Sequence, residues 1–264
     1  MLQTRLWTAL VALPVTLAIV LYAPAPEFRW FIALLSAWGL YEVGEMTSAG
    51  VGQAVLLAMA GGVPAGVLLF ANVYDRPDSW LGAAIVVVAM LMLVARVAES
   101  GGDSIMGGTP LVILGALWVG VLFPYFAILR NSTDGVPLVI LMLLLVVASD
   151  SGAYFVGRFK GRIKLLPTVS PNKTVEGAVG GLAGCIIVGL LLRALLVPRW
   201  SWGSLALLSA LIGVLAQLGD LAGSAFKRIA GVKDSGWIFP GHGGLLDRTC
   251  SLVFVAVLTY YYSR

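Results

Sequence analysis

Apolar residues do not alternate with polar ones along this chain; they run on in long blocks cut by short polar breaks. A hydrocarbon core about 30 Å thick takes around 20 apolar residues per helix, and blocks of that length recur from one end to the other. The pattern predicts spans near 6–23, 28–45, 51–73, 80–97, 110–129, 136–156, 175–197, 205–229 and 244–262, an all-α polytopic integral membrane protein of about nine transmembrane helices. Pro14 in the first span and Gly61-Gly62-Val63-Pro64 in the third are interruptions that membrane helices tolerate when neighbours satisfy the freed backbone groups. The first block follows Arg5 and ends in Ala23-Pro24-Ala25, like a cleavable signal. Pro26 makes a poor cleavage position, however, and the parity of nine spans keeps the segment as a helix. Trp7, Trp30, Trp80, Trp200, Trp202 and Tyr260-Tyr261-Tyr262 lie near span ends, where interfacial anchors belong.

Composition agrees: the chain is 59% hydrophobic and 11% charged, against roughly a quarter charged in soluble domains. Chemistry is therefore sought in the polar breaks. Of the 17 Lys and Arg residues, the larger share falls on the side holding the loops after spans two, four, six and eight. Arg158, Lys160, Arg162, Lys164, Lys173, Lys227, Arg228, Lys233 and Arg248 are among them, and that side is expected to be cytoplasmic. The net charge of +4 comes without a basic stripe interleaved with aromatics, so no nucleic-acid partner is expected. Cys185 and Cys250 have no paired spacing and indicate neither a disulfide framework nor a zinc site.

Ionisable residues within the spans of the first half are chiefly Glu42 and Glu45, whereas spans six, eight and nine each carry an aspartate. This divides the chain into residues 1–135, expected to serve lipid contact, packing or a dimer interface, and a catalytic region, 136–264. Charges gathered at one face, without a convincing internal repeat, argue against a transporter with a midplane site.

Three segments carry the chemistry. In the first, Asp150 ends an apolar helix, a costly place that makes it a site candidate; an ion pair with Arg158 or Lys160 is the alternative. Ser170-Pro171-Asn172-Lys173-Thr174 follows where span seven begins. Pro suits a first helical turn, Ser, Asn and Thr can cap amides, and a lysine beside a helix N-terminus makes an anion site. An ordinary cap is equally compatible. Gly177 and Gly181, with Gly180 and Gly184, repeat at a spacing that lets another helix approach closely, within or between subunits.

In the second segment Asp220, Ser224 and Lys227 line one helical stripe that suits a Mg-nucleotide; an Asp220–Lys227 pair is the alternative. In the third, Gly241, Gly243 and Gly244 flank the single histidine, His242, and open span nine, leaving amides able to approach phosphate. Asp247 and Arg248 follow in the first turns.

With Ser224, Lys227-Arg228, Lys233-Asp234, His242-Gly243-Gly244 and Asp247-Arg248 in this order, the chain resembles the phosphatidate cytidylyltransferase (CDP-diacylglycerol synthase) family. The Asp150-Ser151-Gly152-Ala153-Tyr154 and Ser170 to Gly177 segments are also similar to that family's, so the match covers roughly residues 148–250. Two positions depart from the pattern. Cys250 stands where the family usually has aspartate, and Gly223 where it commonly has glutamate. Both remove acid from the expected metal site.

The resemblance implies attack by a phosphatidic acid phosphate on the α phosphorus of CTP, in phospholipid biosynthesis at a bacterial plasma membrane, with the site facing the cytoplasm. Asp220 and Asp247 are expected to hold Mg2+. Catalysis is assigned to these two with Lys227 and His242, the latter orienting a phosphate or passing a proton. Substrate binding is assigned to Asp150, Ser170, Asn172, Lys173, Ser224, Arg228, Lys233, Gly243, Gly244 and Arg248. Membrane lipid and a homodimer partner complete the expectations, and a relative that binds CTP or lipid phosphate without turnover is the alternative.

Overall fold

The computed structural model describes residues 2–47, 57–70, 109–239, 241 and 243–264. The predicted span 80–97 lies outside these residues, as do 51–56 and 71–73 of the third span and His242. Helices α1 (Leu2–Tyr22) and α2 (Ala25–Met46) are followed by a π-helical turn, Ala58–Gly62, that continues into α3 (Val63–Phe70). Helix α4 (Thr109–Leu117), a second π turn (Trp118–Leu122) and α5 (Pro124–Arg130) form one continuous span. Then come α6 (Gly135–Lys160), strands β1 (Lys164–Leu166) and β2 (Ser170–Thr174), α7 (Val175–Leu196), α8 (Trp202–Ile229) and α9 (Leu246–Tyr262). Four of these stretches are long and apolar enough to cross a membrane: Pro110–Arg130, Gly135–Lys160, Val175–Leu196 and Trp202–Ile229.

The caps are local. Pro24 and Pro26 start α2, where a missing N–H costs nothing, and Ser201 caps α8 by accepting from the amide of Ser204 at 3.0 Å. Asp134, with φ 58°, turns the chain from α5 into α6.

The all-α membrane fold stands, with one local correction. Ser170–Thr174 is not the first turn of span seven but a strand, paired antiparallel to β1 with Leu166 opposite Ser170 and Lys164 opposite Thr174. A two-stranded ribbon consists of edges, the one place in a sheet where Pro171 costs no ladder bond. Helix α7 starts after it, and the cap is Thr174, whose Oγ1 accepts from the amide of Gly177 at 3.1 Å.

Helices α6 and α7 pack through glycine. A Cβ added to Gly152 would lie 2.6 Å from the carbonyl oxygen of Gly180, and one on Gly181 or Gly184 would lie 2.8 or 3.0 Å from the carbonyls of Ser149 and Ala148. The small-residue repeat therefore serves contact within the chain. Helix α8 sits between α7 and α9. On its α9 side, a Cβ at Gly219 would come within 2.7 Å of the Cys250 carbonyl. The two π turns meet at Gly61 and Gly120, where an added Cβ at 120 would lie 2.5 Å from the Gly61 Cα. These close approaches bring the polar ends of α6, α7, α8 and α9 to one region.

Candidate active site

A cleft of about 470 Å³ opens between the end of α6, strand β2, the start of α7 and the middle of α8, lined by Asp150, Tyr154, Arg158, Asn172, Lys173, Gln217 and Asp220 among others. Its centre is an ion pair between strand and helix, Lys173 Nζ to Asp220 Oδ2 at 2.5 Å, with side chains 26% and 41% exposed. Enough water reaches this pair for its partners to be exchanged. The hairpin that presents Lys173 is pinned twice: the Glu176 carboxylate accepts from the amides of Arg162 and Ile163 at 3.1 and 3.2 Å, and Arg228 Nε donates to the Val169 carbonyl at 3.5 Å. Asp150, near the end of α6, lines the same cleft as Lys173 and Asp220. Arg158 does not pair with it. Its Nη1 donates to the Tyr154 hydroxyl at 2.7 Å, and its guanidinium lies over that ring, 5.9 Å from the centroid.

The second cluster surrounds Asp247. Lys227 pairs with Asp247 Oδ1, not with Asp220. Asp247 Oδ2 accepts from the Ser235 amide at 2.8 Å, the Ser235 hydroxyl at 3.1 Å and the Gly244 amide at 2.9 Å. Its side chain is 6% exposed, so this carboxylate is enclosed by donors while that of Asp220 remains open.

The turn entering α9 differs from the phosphate cradle read from sequence. Gly241 and Gly243 do adopt left-handed φ of 78° and 84°, conformations glycine alone takes at no cost. The amides of Gly244, Leu245 and Leu246, however, donate to the protein's own carboxylates, Asp247 for the first and Glu42 for the other two.

Cys250 connects the two clusters. It is buried, its Sγ lies 3.7 Å from Asp220 Oδ1 and 4.0 Å from the Asp247 carbonyl, and it lines a small cavity with Trp118, Gly223, Lys227, Ser235 and Asp247. The two positions that depart from the family pattern are thus neighbours in space.

Of the other residues read from sequence, Asn172 lines the cleft. Ser170 sits half-buried at the start of β2, Ser224 is half-buried on α8, and Lys233, Arg228 and Arg248 are exposed on the same polar end. His242 lies outside the described residues. Sequence reasoning missed Ser235, Gln217, Tyr154 and the role of Glu42. The last had a signal, a carboxylate within an apolar span.

Among the described residues no three His, Cys, Asp or Glu side chains gather as a metal cage. Magnesium does not need one: it retains waters and takes one or two carboxylates together with substrate phosphates. Asp220 offers such a carboxylate, exposed and already holding one cation, the Lys173 ammonium, so the donor set fits that ion.

A helical membrane protein with paired lysines and carboxylates at one polar end defines a site for phosphate chemistry at a bilayer surface. Residues 3–264 match the model of the cytidylyltransferase family, and the chain belongs to that family. It is 33% identical to phosphatidate cytidylyltransferase of Staphylococcus haemolyticus over 261 residues, 97% of each chain, and 34% identical to that of Brucella suis over 263 residues, 99% of this chain and 93% of the relative. Against the Synechocystis enzyme of the same name, identity reaches 48% over 134 residues, half of this chain.

Proposed function

We propose that this protein transfers the cytidylyl group of CTP to phosphatidic acid, releasing pyrophosphate and forming CDP-diacylglycerol. A phosphatidate oxygen attacks the α phosphorus, a new P–O bond forms, and the bond from that phosphorus to the bridging oxygen of pyrophosphate breaks. The nucleophile is already anionic near neutral pH, so no strong base is required. The demand is to hold two mutually repelling phosphates in line and to neutralise charge.

The observation that carries this reading is the half-exposed Lys173–Asp220 pair in a cleft formed by membrane helices and the β2 strand. Lys173 and Arg158 supply cationic donors on the cleft wall, with Lys227, Arg228, Lys233 and Arg248 on the same polar end, and charge-assisted contacts of this kind are the strong ones for phosphate. Asp220 and Asp247 are the residues that would hold Mg2+, with Asp150 lining the same cleft as Asp220. Bound magnesium would screen the triphosphate and polarise the α phosphate under attack. His242 keeps the role of orienting a phosphate or protonating pyrophosphate.

The wider reading is nine spans in a bacterial plasma membrane with the cleft facing the cytoplasm. CTP enters from that side while the acyl chains of phosphatidic acid stay in the bilayer, and the 1–135 region provides lipid-facing and dimer surfaces. The test is a CTP-dependent assay on purified protein, with and without Mg2+ and phosphatidic acid, scored for CDP-diacylglycerol and pyrophosphate. Stoichiometric appearance of both products only when phosphatidic acid is present is expected; no product under any condition overturns the proposal.

A further inference from the structure

We infer that Glu42, on α2, is a positioning residue for the transfer reaction, fixing the start of α9 and, through Ser235, the setting of Asp247. The inference rests on the cytidylyltransferase reading above. Glu42 is 1% exposed, and its carboxylate is shared out completely. Oε1 accepts from Trp38 Nε1 at 3.0 Å and from the Leu245 amide at 2.7 Å. Oε2 accepts from the Ser235 hydroxyl at 2.8 Å and from the Leu246 amide at 3.0 Å. Burying a carboxylate is costly unless donors replace water, and here four neutral donors do so. The helix dipole of α9 adds to them, since an anion at a helix N-terminus is favoured.

An ordinary cap would come from the residue just before the helix, but this one arrives from 203 positions earlier. Room has been left for it: a Cβ on Gly236 would lie 2.7 Å from Glu42 Oε1, and one on Gly244 2.5 Å from Oε2. Two glycines of the α8–α9 connection are thus shaped around a side chain of α2.

Ser235 makes the link to the chemistry. Its hydroxyl stands between Glu42 Oε2 and Asp247 Oδ2, at 2.8 and 3.1 Å, and accepts from the Asp247 amide at 3.2 Å. A hydroxyl has one proton, so the two carboxylates compete for it. With Glu42 ionised the proton is drawn toward α2, and Asp247 is held chiefly by amides and by Lys227. Replacing the Glu42 carboxylate by a neutral amide frees the proton for Asp247 and leaves one of the two α9 amides facing a donor instead of an acceptor, which displaces Asp247 and Lys227 together.

The variants are Glu42→Gln, Ser235→Ala and the double mutant, in the full chain purified in detergent with phosphatidic acid and CTP. The glutamine side chain is isosteric with the glutamate it replaces, but its amide group must face donors on one side. Glu42→Gln is expected to lower kcat on the order of 10–100-fold, as small misplacements of catalytic groups do, with KM for CTP within about twofold. Ser235→Ala should lower kcat by at least about tenfold, and the double mutant should be no slower than the slower single, because the pair acts as one unit. A purely structural role would lower thermal stability while leaving kcat per folded molecule unchanged, and that outcome overturns the inference, as do multiplicative losses in the double mutant. If Glu42→Gln does not fold, Ser235→Ala decides alone: wild-type kcat in this folded variant overturns the inference. Inactive wild-type protein would instead sink the cytidylyltransferase reading itself.

Discussion

Gly223 and Cys250 face each other across the α8–α9 contact so closely that a Cβ at position 223 would lie 2.8 Å from the Cβ of Cys250 and 3.3 Å from its Sγ. A side chain at one position excludes a large one at the other, and the thiol occupies the shared space beside Asp220. Cys250→Asp would put a second carboxylate next to Asp220 in a buried place. The variant is expected to melt below wild type without divalent cations, an unpaired buried charge being costly, and to recover most of that loss in millimolar Mg2+. Thermal unfolding with and without Mg2+ checks this. A Mg2+-induced rise no larger than wild type's would remove the ion from the neighbourhood of position 250.

The two aspartates should separate by phenotype. Asp220 is 41% exposed in its ion pair and Asp247 6% in its own. Exposed pairs contribute about 0–1 kcal/mol, whereas breaking a buried pair costs about 3–5 kcal/mol. Asp220→Asn is therefore expected to keep wild-type stability and lose activity by at least about 100-fold, the scale on which an electrostatic contact to the transferring group acts. Asp247→Asn should lose stability as well as activity. Unfolding curves beside specific activities test the pair, and equal stability losses would contradict the assignment.

Lys173 is held on a strand, not on a flexible helix end. Lys173→Met should leave the fold intact, since its pair with Asp220 is half open to water. It should lower kcat/KM for CTP by about 10–100-fold, the range for one charge-assisted phosphate contact of about 1.5–3 kcal/mol. Lys173→Arg should recover part of the loss. Unchanged kinetics in the methionine variant would take Lys173 out of the site.

Sidedness gives a test independent of chemistry. Lys164 and Lys233 are exposed at the polar end that carries the cleft, and Arg264 is exposed at the far end of α9. In a cysteine-substituted chain with Cys185 and Cys250 replaced, an impermeant thiol reagent should reach positions 164 and 233 from the cytoplasm and position 264 from the opposite side. Labelling of 164 and 233 from different sides would break the nine-span topology.

What could be read from sequence was whatever the chain writes contiguously. Apolar blocks gave α6, α7, α8 and α9 within a few residues, and the first three are long and apolar enough to cross a bilayer, which needs a run of fixed length. Asp220 and Lys227 were legible as one helical stripe, but not their partners. The structure pairs Asp220 with Lys173, brought by a hairpin, and Lys227 with Asp247, brought by the next helix. Spacing along one helix carries no information about either. Strand β2 was hidden because Ser-Pro-Asn-Lys-Thr has the composition of a helix start, and only pairing with Lys164–Leu166 makes it a strand. From sequence the amides entering α9 look open to phosphate, because the carboxylate that takes two of them lies on α2.

The seam between α6 and α7 has a genetic consequence. Where Gly152 meets Gly180 and Gly181, everything facing it is backbone of α7, so α7 has no side chain there left to shrink. An enlarged residue at position 152 cannot be compensated by a smaller one opposite it. Revertants of such a change would have to restore the glycine itself or arise at a distance, by letting one whole helix slide along the other. Sliding α7 would carry the hairpin and Lys173 with it, so a suppressor that rescues assembly in this way would be recognisable by a catalytic defect of its own.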